Sequence, residues 1–167
     1  MTARSSSLGP LGSGAGCHDL LHIPRQHRGQ CVALLYLDLD GFKPINDTLG
    51  HAAGDAVLAE TASRSVKAVR VEDTVARVGG DEFVVLLADL EPSSARGVAE
   101  RVAEGFLTAL PEPMRVQGRD CRIGVSIGIS VELAPPDINA LLIAADTALS
   151  RAKKDGRDCF RWHQDPP

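Results

Sequence analysis

Apolar and polar positions along this chain switch between two periods, and the switches mark its elements. "CVALLYLDLD" (31–40) is almost continuously apolar until it turns acidic. That is the pattern of a central strand buried on both faces, with its carboxylates at the edge of the sheet. "GFKPINDTLG" follows as a loop or a short helix. From His51 to Arg70 the apolar residues recur at helical spacing, with Leu58, Ala62, Val66 and Val69 on one face. A short strand (74–78), a tight turn (79–81) and a longer strand (82–88) come next, and glycines at 79 and 80 suit a turn that needs φ > 0. Residues 92–110 read as a helix with Ser93 or Ser94 as its N-cap. "MRVQGRDCRIGVSIGISVEL" (114–133) reads as a hairpin turning near Gly118, with a long second strand. A helix from about Asp137 ends at Gly156, and "RDCFRW" closes the domain as a strand. This order, β, α, β-hairpin, α, β-hairpin, α, β, predicts an α+β domain with a mainly antiparallel sheet, not a doubly wound parallel one.

Composition narrows the class. At 167 residues, 44% hydrophobic and 24% charged, the chain fits one globular domain with a proper core. A net charge of −4 without a basic block excludes a nucleic-acid binder held by its overall field, but not a domain that binds one nucleotide. No apolar run approaches the roughly 20 residues that span a bilayer. Residues 1–29 are predicted to be an atypical, flexible N-terminal segment, and 164–167 a tail. The start of the chain, rich in Gly and Ser, lacks the apolar core of a signal peptide, so a cytoplasmic location is expected. Cys17, Cys31, Cys121 and Cys159 are scattered and read as reduced thiols.

The acids change the picture more. Asp38 and Asp40 close the first strand, and Asp81 and Glu82 sit in the following hairpin. If that hairpin lies beside the first strand, three or four carboxylates converge. Such a cluster is unfavourable unless protonated or neutralised. Hard oxygen donors select Mg²⁺, Mn²⁺ or Ca²⁺, and Mg²⁺ on one or two carboxylates completes its shell with substrate phosphates. Taken singly, the acids are also consistent with solvated strand ends. Beside Gly79 and Gly80, which leave no side chain between backbone and phosphate, they point to displacement at phosphorus. Lys153 and Arg157, four apart on the last helix, supply cations; a helix C-terminus favours cations in any case. Lys43 lies within reach of the first acids and of charge developing on a phosphate. Asn46 and Asp55 are of the right types to read a guanine edge, and equally to start a helix.

"YLDLDGFKPINDTLGHAAGDAVL", "RVGGDEFVVLL", "VSIGIS" and "ADTALSRAKKDGRD" resemble, in order and spacing, the motifs of the GGDEF family of diguanylate cyclases, which condense two GTP into cyclic di-GMP. The resemblance covers about residues 31–162, so the GGDEF domain is expected over 30–163. It implies a ferredoxin-like, nucleotidyl-cyclase palm. It also implies that Asp38, the Leu39 carbonyl, Asp81 and Glu82 bind Mg²⁺ or Mn²⁺, and that Asp81 is the base. Lys43 would stabilise the transition state, and Gly79 and Gly80 would lie against the triphosphate. Asn46, His51 and Asp55 would line the nucleoside, and Lys153 and Arg157 would hold the terminal phosphates. Arg70 and Asp73, an R-x-x-D five residues ahead of the signature, resemble the inhibitory product site, with Arg101 as a second arginine. Catalysis would need a homodimer. Residues 1–29 carry no counterpart of the family's D-x-L-T-G-L-x-N-R segment. The alternative expectation is therefore a catalytically impaired module that binds GTP or cyclic di-GMP as a receptor.

Overall fold

A computed structural model describes residues 28–164; the readings of the N-terminal segment up to residue 27 and of the last three residues fall outside it. Strand β1 (Cys31–Asp40) leads into helices α1 (Phe42–Leu49) and α2 (His51–Lys67). Strands β2 (Thr74–Arg77) and β3 (Glu82–Leu90) form the first hairpin, followed by α3 (Ala95–Ala109). Strands β4 (Met114–Val116) and β5 (Arg119–Cys121) precede β6 (Gly124–Leu133), α4 (Ile138–Lys154) and β7 (Phe160–Trp162). The five-stranded sheet has the order β2-β3-β1-β6-β7. All its pairings are antiparallel except β6 with β7, as the mainly antiparallel α+β reading requires.

Strand β1 is central because both its faces are apolar. Cys31, Ala33, Leu35, Leu37 and Leu39 join Phe83, Val85, Leu87, Ile127 and Ile129 in a core shared with α2 and α3. Val32 and Leu34 join Val84, Leu86, Leu141 and Ala145 beneath α4 on the other face. Truncating one of these fully buried leucines costs about 2–5 kcal/mol. The alternation fixes the chemistry as well. Positions 38 and 40 of β1, 82 of β3 and 126 of β6 continue the α4 face toward one end of the sheet, and all four are polar. Helix α4 lies so close to β6 that a Cβ on Gly128 would run into the backbone of Ala145 and Leu149.

Several expectations need correction. Helix α2 stops at Lys67, not Arg70, because the Asp73 carboxylate accepts the Arg70 N–H at 2.9 Å and draws the chain into a tight loop. Its buried stripe runs through Ala53, Val57, Leu58, Thr61, Ala62 and Ser65, which leaves Val66 46% exposed. Ser94 is the N-cap of α3, but its side chain caps no helical N–H. The β4–β5 hairpin does turn at Gln117 and Gly118, both at positive φ, yet it is a separate two-stranded sheet. The long strand begins only at Gly124 and belongs to the main sheet. Neither Gly79 nor Gly80 is among the glycines with positive φ, so the signature turn does not need them for backbone conformation. A Cβ on Gly79 would lie 2.6 Å from Glu82 Oε2 and so displace the end of that side chain, whereas Gly80 opens onto nothing within 4 Å.

Candidate active site

Register assembles the acids. Asp38 on β1 is the direct partner of Glu82 on β3, and cross-strand partners on one face bring their Cβ atoms within about 5.5 Å. The Leu39 N–H donates to the Asp81 carbonyl at 3.1 Å. A strand residue directs its N–H and C=O to the same edge, so the Leu39 carbonyl also faces the signature turn. Arg77 braces that turn from below, its Nε donating to the carbonyls of Gly79 at 3.0 Å and Gly80 at 3.1 Å.

Helix α4 ends where the acids begin. Lys153, in its last turn, donates from Nζ to Asp38 Oδ2 at 2.8 Å. Arg157 arrives differently from the expected shared helical face. It lies beyond the helix end, at φ 66°, with Nε 3.9 Å from Asp40 Oδ1. Helix and turn thus deliver the two cations to one end of the sheet.

The cluster is short of positive charge. Burial raises the Glu82 carboxyl above its ordinary value, the charges of Asp38, Asp81 and Asp146 raise it further, and Lys153 opposes them. Burial pulls Lys153 down, but the Asp38 hydrogen bond and the charges of Asp38, Glu82 and Asp81 outweigh it, and the ammonium is held upward. Among the described residues, no three His, Cys, Asp or Glu side chains already close on a point that would hold a metal ion. The donor set is two adjacent carboxylates and a carbonyl, and carboxylates this close favour a further cation. That fits Mg²⁺ or Mn²⁺, which bind through one or two carboxylates and take the rest of their shell from water and phosphate.

Gly41, at φ 85°, turns the chain from β1 straight into α1, so the other expected residues start from the same end of the sheet. Asn46 Nδ2 lies 3.2 Å from His51 Nδ1. A Cβ on Gly54 would run into Asn46 Oδ1, so that glycine makes room for the Asn46 amide. Lys43 and Asp55 are exposed on α1 and α2, and neither bonds to the acidic cluster. Arg70 binds both Asp73 oxygens, at 2.9 and 3.2 Å, and the Ala88 carbonyl at 3.1 Å. The Asp73 side chain is only 1% exposed while that of Arg70 is 47% exposed, so the arginine is the outward-facing member. Arg101 lies on the exposed side of α3.

The sequence reading missed Arg77, Ser126 and Asp146. Asp146 and Lys153, seven apart on α4, share a helix face, and that spacing was the available signal. Ser126 and Arg77 had none, because their partners are set by strand register and turn geometry.

A mainly antiparallel α+β sheet with acids at one end, a helix-borne lysine on those acids and a glycine-lined turn beside them defines a domain of the nucleotidyl-cyclase kind. The family model described as "Diguanylate cyclase, GGDEF domain" matches residues 19–159, and the chain belongs to that GGDEF family of diguanylate cyclases. It is 43% identical over 133 residues to the bifunctional diguanylate cyclase/cyclic di-GMP phosphodiesterase MucR of Pseudomonas aeruginosa, covering 77% of this chain and 18% of that one. It is 42% identical over 144 residues to diguanylate cyclase TpbB of the same species, covering 84% and 32%. The chain therefore spans less than a third of the length of either relative. The crystal structure of the TpbB GGDEF domain matches with a TM-score of 0.74 at 40% identity, over 82% of this chain and 84% of that one. The GGDEF domain of DgcB from Caulobacter crescentus, solved in complex with c-di-GMP, matches with a TM-score of 0.72 at 28% identity, over 82% and 80%. No helix among the described residues is long and apolar enough to cross a membrane.

Proposed function

We propose that this domain is a diguanylate cyclase that condenses two GTP into cyclic di-GMP with release of two pyrophosphates. The observation that carries the reading is the Asp38–Glu82 register pair, with Lys153 on Asp38 and Asp81 in the adjoining turn. Asp38, Glu82 and the Leu39 carbonyl would hold Mg²⁺ or Mn²⁺. When bound, the ion neutralises phosphate charge and makes the attacking hydroxyl more acidic.

The chain's own residues supply the rest. Lys153 and Arg157 bind the terminal phosphates, and Gly79 and Gly80 let the triphosphate lie against the turn. Lys43, on α1, stabilises charge developing at phosphorus. Asn46 and Asp55 face the guanine edge, with His51 beside Asn46. Asp81 takes the proton of the 3′-hydroxyl as that oxygen attacks the α-phosphorus of the other GTP. The new O–P bond replaces the α–β phosphoanhydride bond, and pyrophosphate leaves. Each GTP must be both nucleophile and electrophile, so two protomers meet face to face about a two-fold axis.

Asp81→Asn and Glu82→Gln are each expected to lower cyclic di-GMP formation at least about a hundredfold, read by chromatography of purified protein with GTP and Mg²⁺. Undiminished synthesis by both variants would sink the assignment. Arg70 is proposed to bind product through its exposed edge, with Asp73 orienting it and Arg101 adding a second cation. Arg70→Ala should weaken binding of labelled cyclic di-GMP, and unchanged affinity would refute that site.

A further inference from the structure

The turn after α4 has unusual backbone: Gly156, Arg157 and Asp158 take φ of 110°, 66° and 48° in succession. Consecutive non-glycine residues in the left-handed region persist only where surrounding groups hold them there. One end of the turn is held by the Arg157 N–H, which donates to the Ala152 carbonyl at 3.1 Å. The other end is held by Asp40. Its Oδ2 accepts from the Asp158 N–H at 3.2 Å and from Ser126 Oγ at 2.8 Å. Its Oδ1 faces Arg157 Nε at 3.9 Å, and the side chain is only 12% exposed. Even the start of β6 fits round this contact. A Cβ on Gly124 would lie 3.3 Å from Asp158 Oδ1 and 3.4 Å from the Asp40 Cβ.

Asp38 and Asp40 therefore have different tasks, although both end the same strand on the same face. Asp38 is bound by one lysine side chain and remains a ligand for cations. Asp40 has Oδ2 filled by two donors, one of them backbone, and it ties the end of β1 to β6 and to the turn after α4. We propose that Asp40 is a positioning residue for phosphate recognition: it locks the turn that aims Arg157 at the terminal phosphates. The inference rests on Lys153 and Arg157 being the phosphate cations.

The test is equilibrium binding of 3′-deoxy-GTP and 3′-deoxy-GMP to the purified chain with Mg²⁺, since neither ligand carries the attacking hydroxyl and neither turns over. The Asp40→Ala variant is expected to weaken the triphosphate on the order of 10- to 100-fold and to leave the monophosphate unchanged. Asp40→Asn keeps an oxygen for Ser126 Oγ and the Asp158 N–H, and is expected to restore most of the loss. In an Arg157→Ala background, Asp40→Ala should add little. Ser126→Ala, which removes one bond and no charge, should give a smaller loss with the same preference for the triphosphate, and it carries the test if Asp40→Ala fails to fold. Equal loss of both ligands in Asp40→Ala and Ser126→Ala, no loss in either, or full additivity with Arg157→Ala would overturn the inference. A wild-type chain that binds the triphosphate no better than the monophosphate would overturn the phosphate-cation reading itself, and the inference with it.

Discussion

The two ends of the proposed nucleotide cleft both depend on a glycine, and the two glycines make room for different things. Under the phosphate end, Gly128 of β6 leaves space for the backbone of α4 at Ala145 and Leu149. Under the nucleoside end, Gly54 of α2 leaves space for side chains of α1, the Asn46 amide above all and the edge of the Phe42 ring. Backbone in a packed helix cannot step aside, but an amide can rotate. The proposed phosphate end is therefore set by the position of a whole helix against the sheet, and the proposed nucleoside end by side chains of a short helix. Rigidity lies where charges converge, and adaptability where a base is proposed to be recognised.

The largest expected effect comes from challenging the rigid end. Gly128→Ala forces α4 off β6 and should cost about 3 kcal/mol, the upper part of the usual overpacking range. It should also carry Lys153 away from Asp38. Denaturant midpoints and GTP turnover should fall together, and a variant as stable as the wild type would refute the close-approach argument. Gly54→Ala should behave differently. Alanine improves helix propensity, and only the side chains of Asn46 and Phe42 must shift, so stability should fall less than in Gly128→Ala, while the displaced Asn46 raises KM for GTP about tenfold, or about 1.4 kcal/mol. Unchanged KM would detach Asn46 from guanine recognition.

A smaller effect is expected from a residue outside both ends. Arg64, whose side chain is 17% exposed, donates to the carbonyls of Ala109, Leu110, Glu112 and Pro113 at 2.6–3.3 Å. It satisfies the carbonyls of Ala109 and Leu110 at the C-terminus of α3 and two more in the loop that follows. Arg64→Ala should cost about 1 kcal/mol, because water can reach part of that cluster. It should leave nucleotide affinity alone, and a change in KM larger than the Gly54→Ala change would show that the two ends are not independent of α3.

The acidic end was legible in the sequence as two strand ends that turn acidic, Asp38 and Asp40 on one and Asp81 and Glu82 on the other. That Asp38 stands opposite Glu82 follows only once β3 pairs with β1, a strand more than forty residues earlier in the chain. What the chain does not spell out is non-local or conformational. Lys153 and Arg157 are four apart, but the chain leaves the helix between them, because Gly156 takes up the left-handed turn. Gly79 and Gly80 look like φ > 0 residues and are not; what a side chain at 79 would disturb is the end of Glu82. Asp40 looks equivalent to Asp38 until Ser126 and Asp158 arrive from distant parts of the chain. Arg70 and Asp73 match their motif in spacing, yet Asp73 is turned inward by a hydrogen bond to the Arg70 N–H that spacing alone cannot show.

The smallest effect tests the charge imbalance at the rigid end without any substrate. The folded Glu82 carboxyl is raised by burial and then by Asp38, Asp81 and Asp146, so the folded chain holds that proton more tightly than the unfolded one. By linkage, the protonated group favours the fold below the ordinary carboxylate value. That contribution is lost as pH rises through the higher folded value, above which the ionised group destabilises the fold. Glu82→Gln removes the titration. In chelator-treated protein the variant should match the wild type near pH 4 and become the more stable of the two toward about pH 7, as the wild-type carboxyl ionises. Adding Mg²⁺ should stabilise the wild type more than the variant, because only the wild type keeps both carboxylates of the Asp38–Glu82 pair. Parallel pH profiles, or a variant less stable at neutral pH, would mean that Lys153 alone already neutralises the pair. The contrast between a charge-starved, rigid phosphate end and an adaptable nucleoside end would then rest on packing alone.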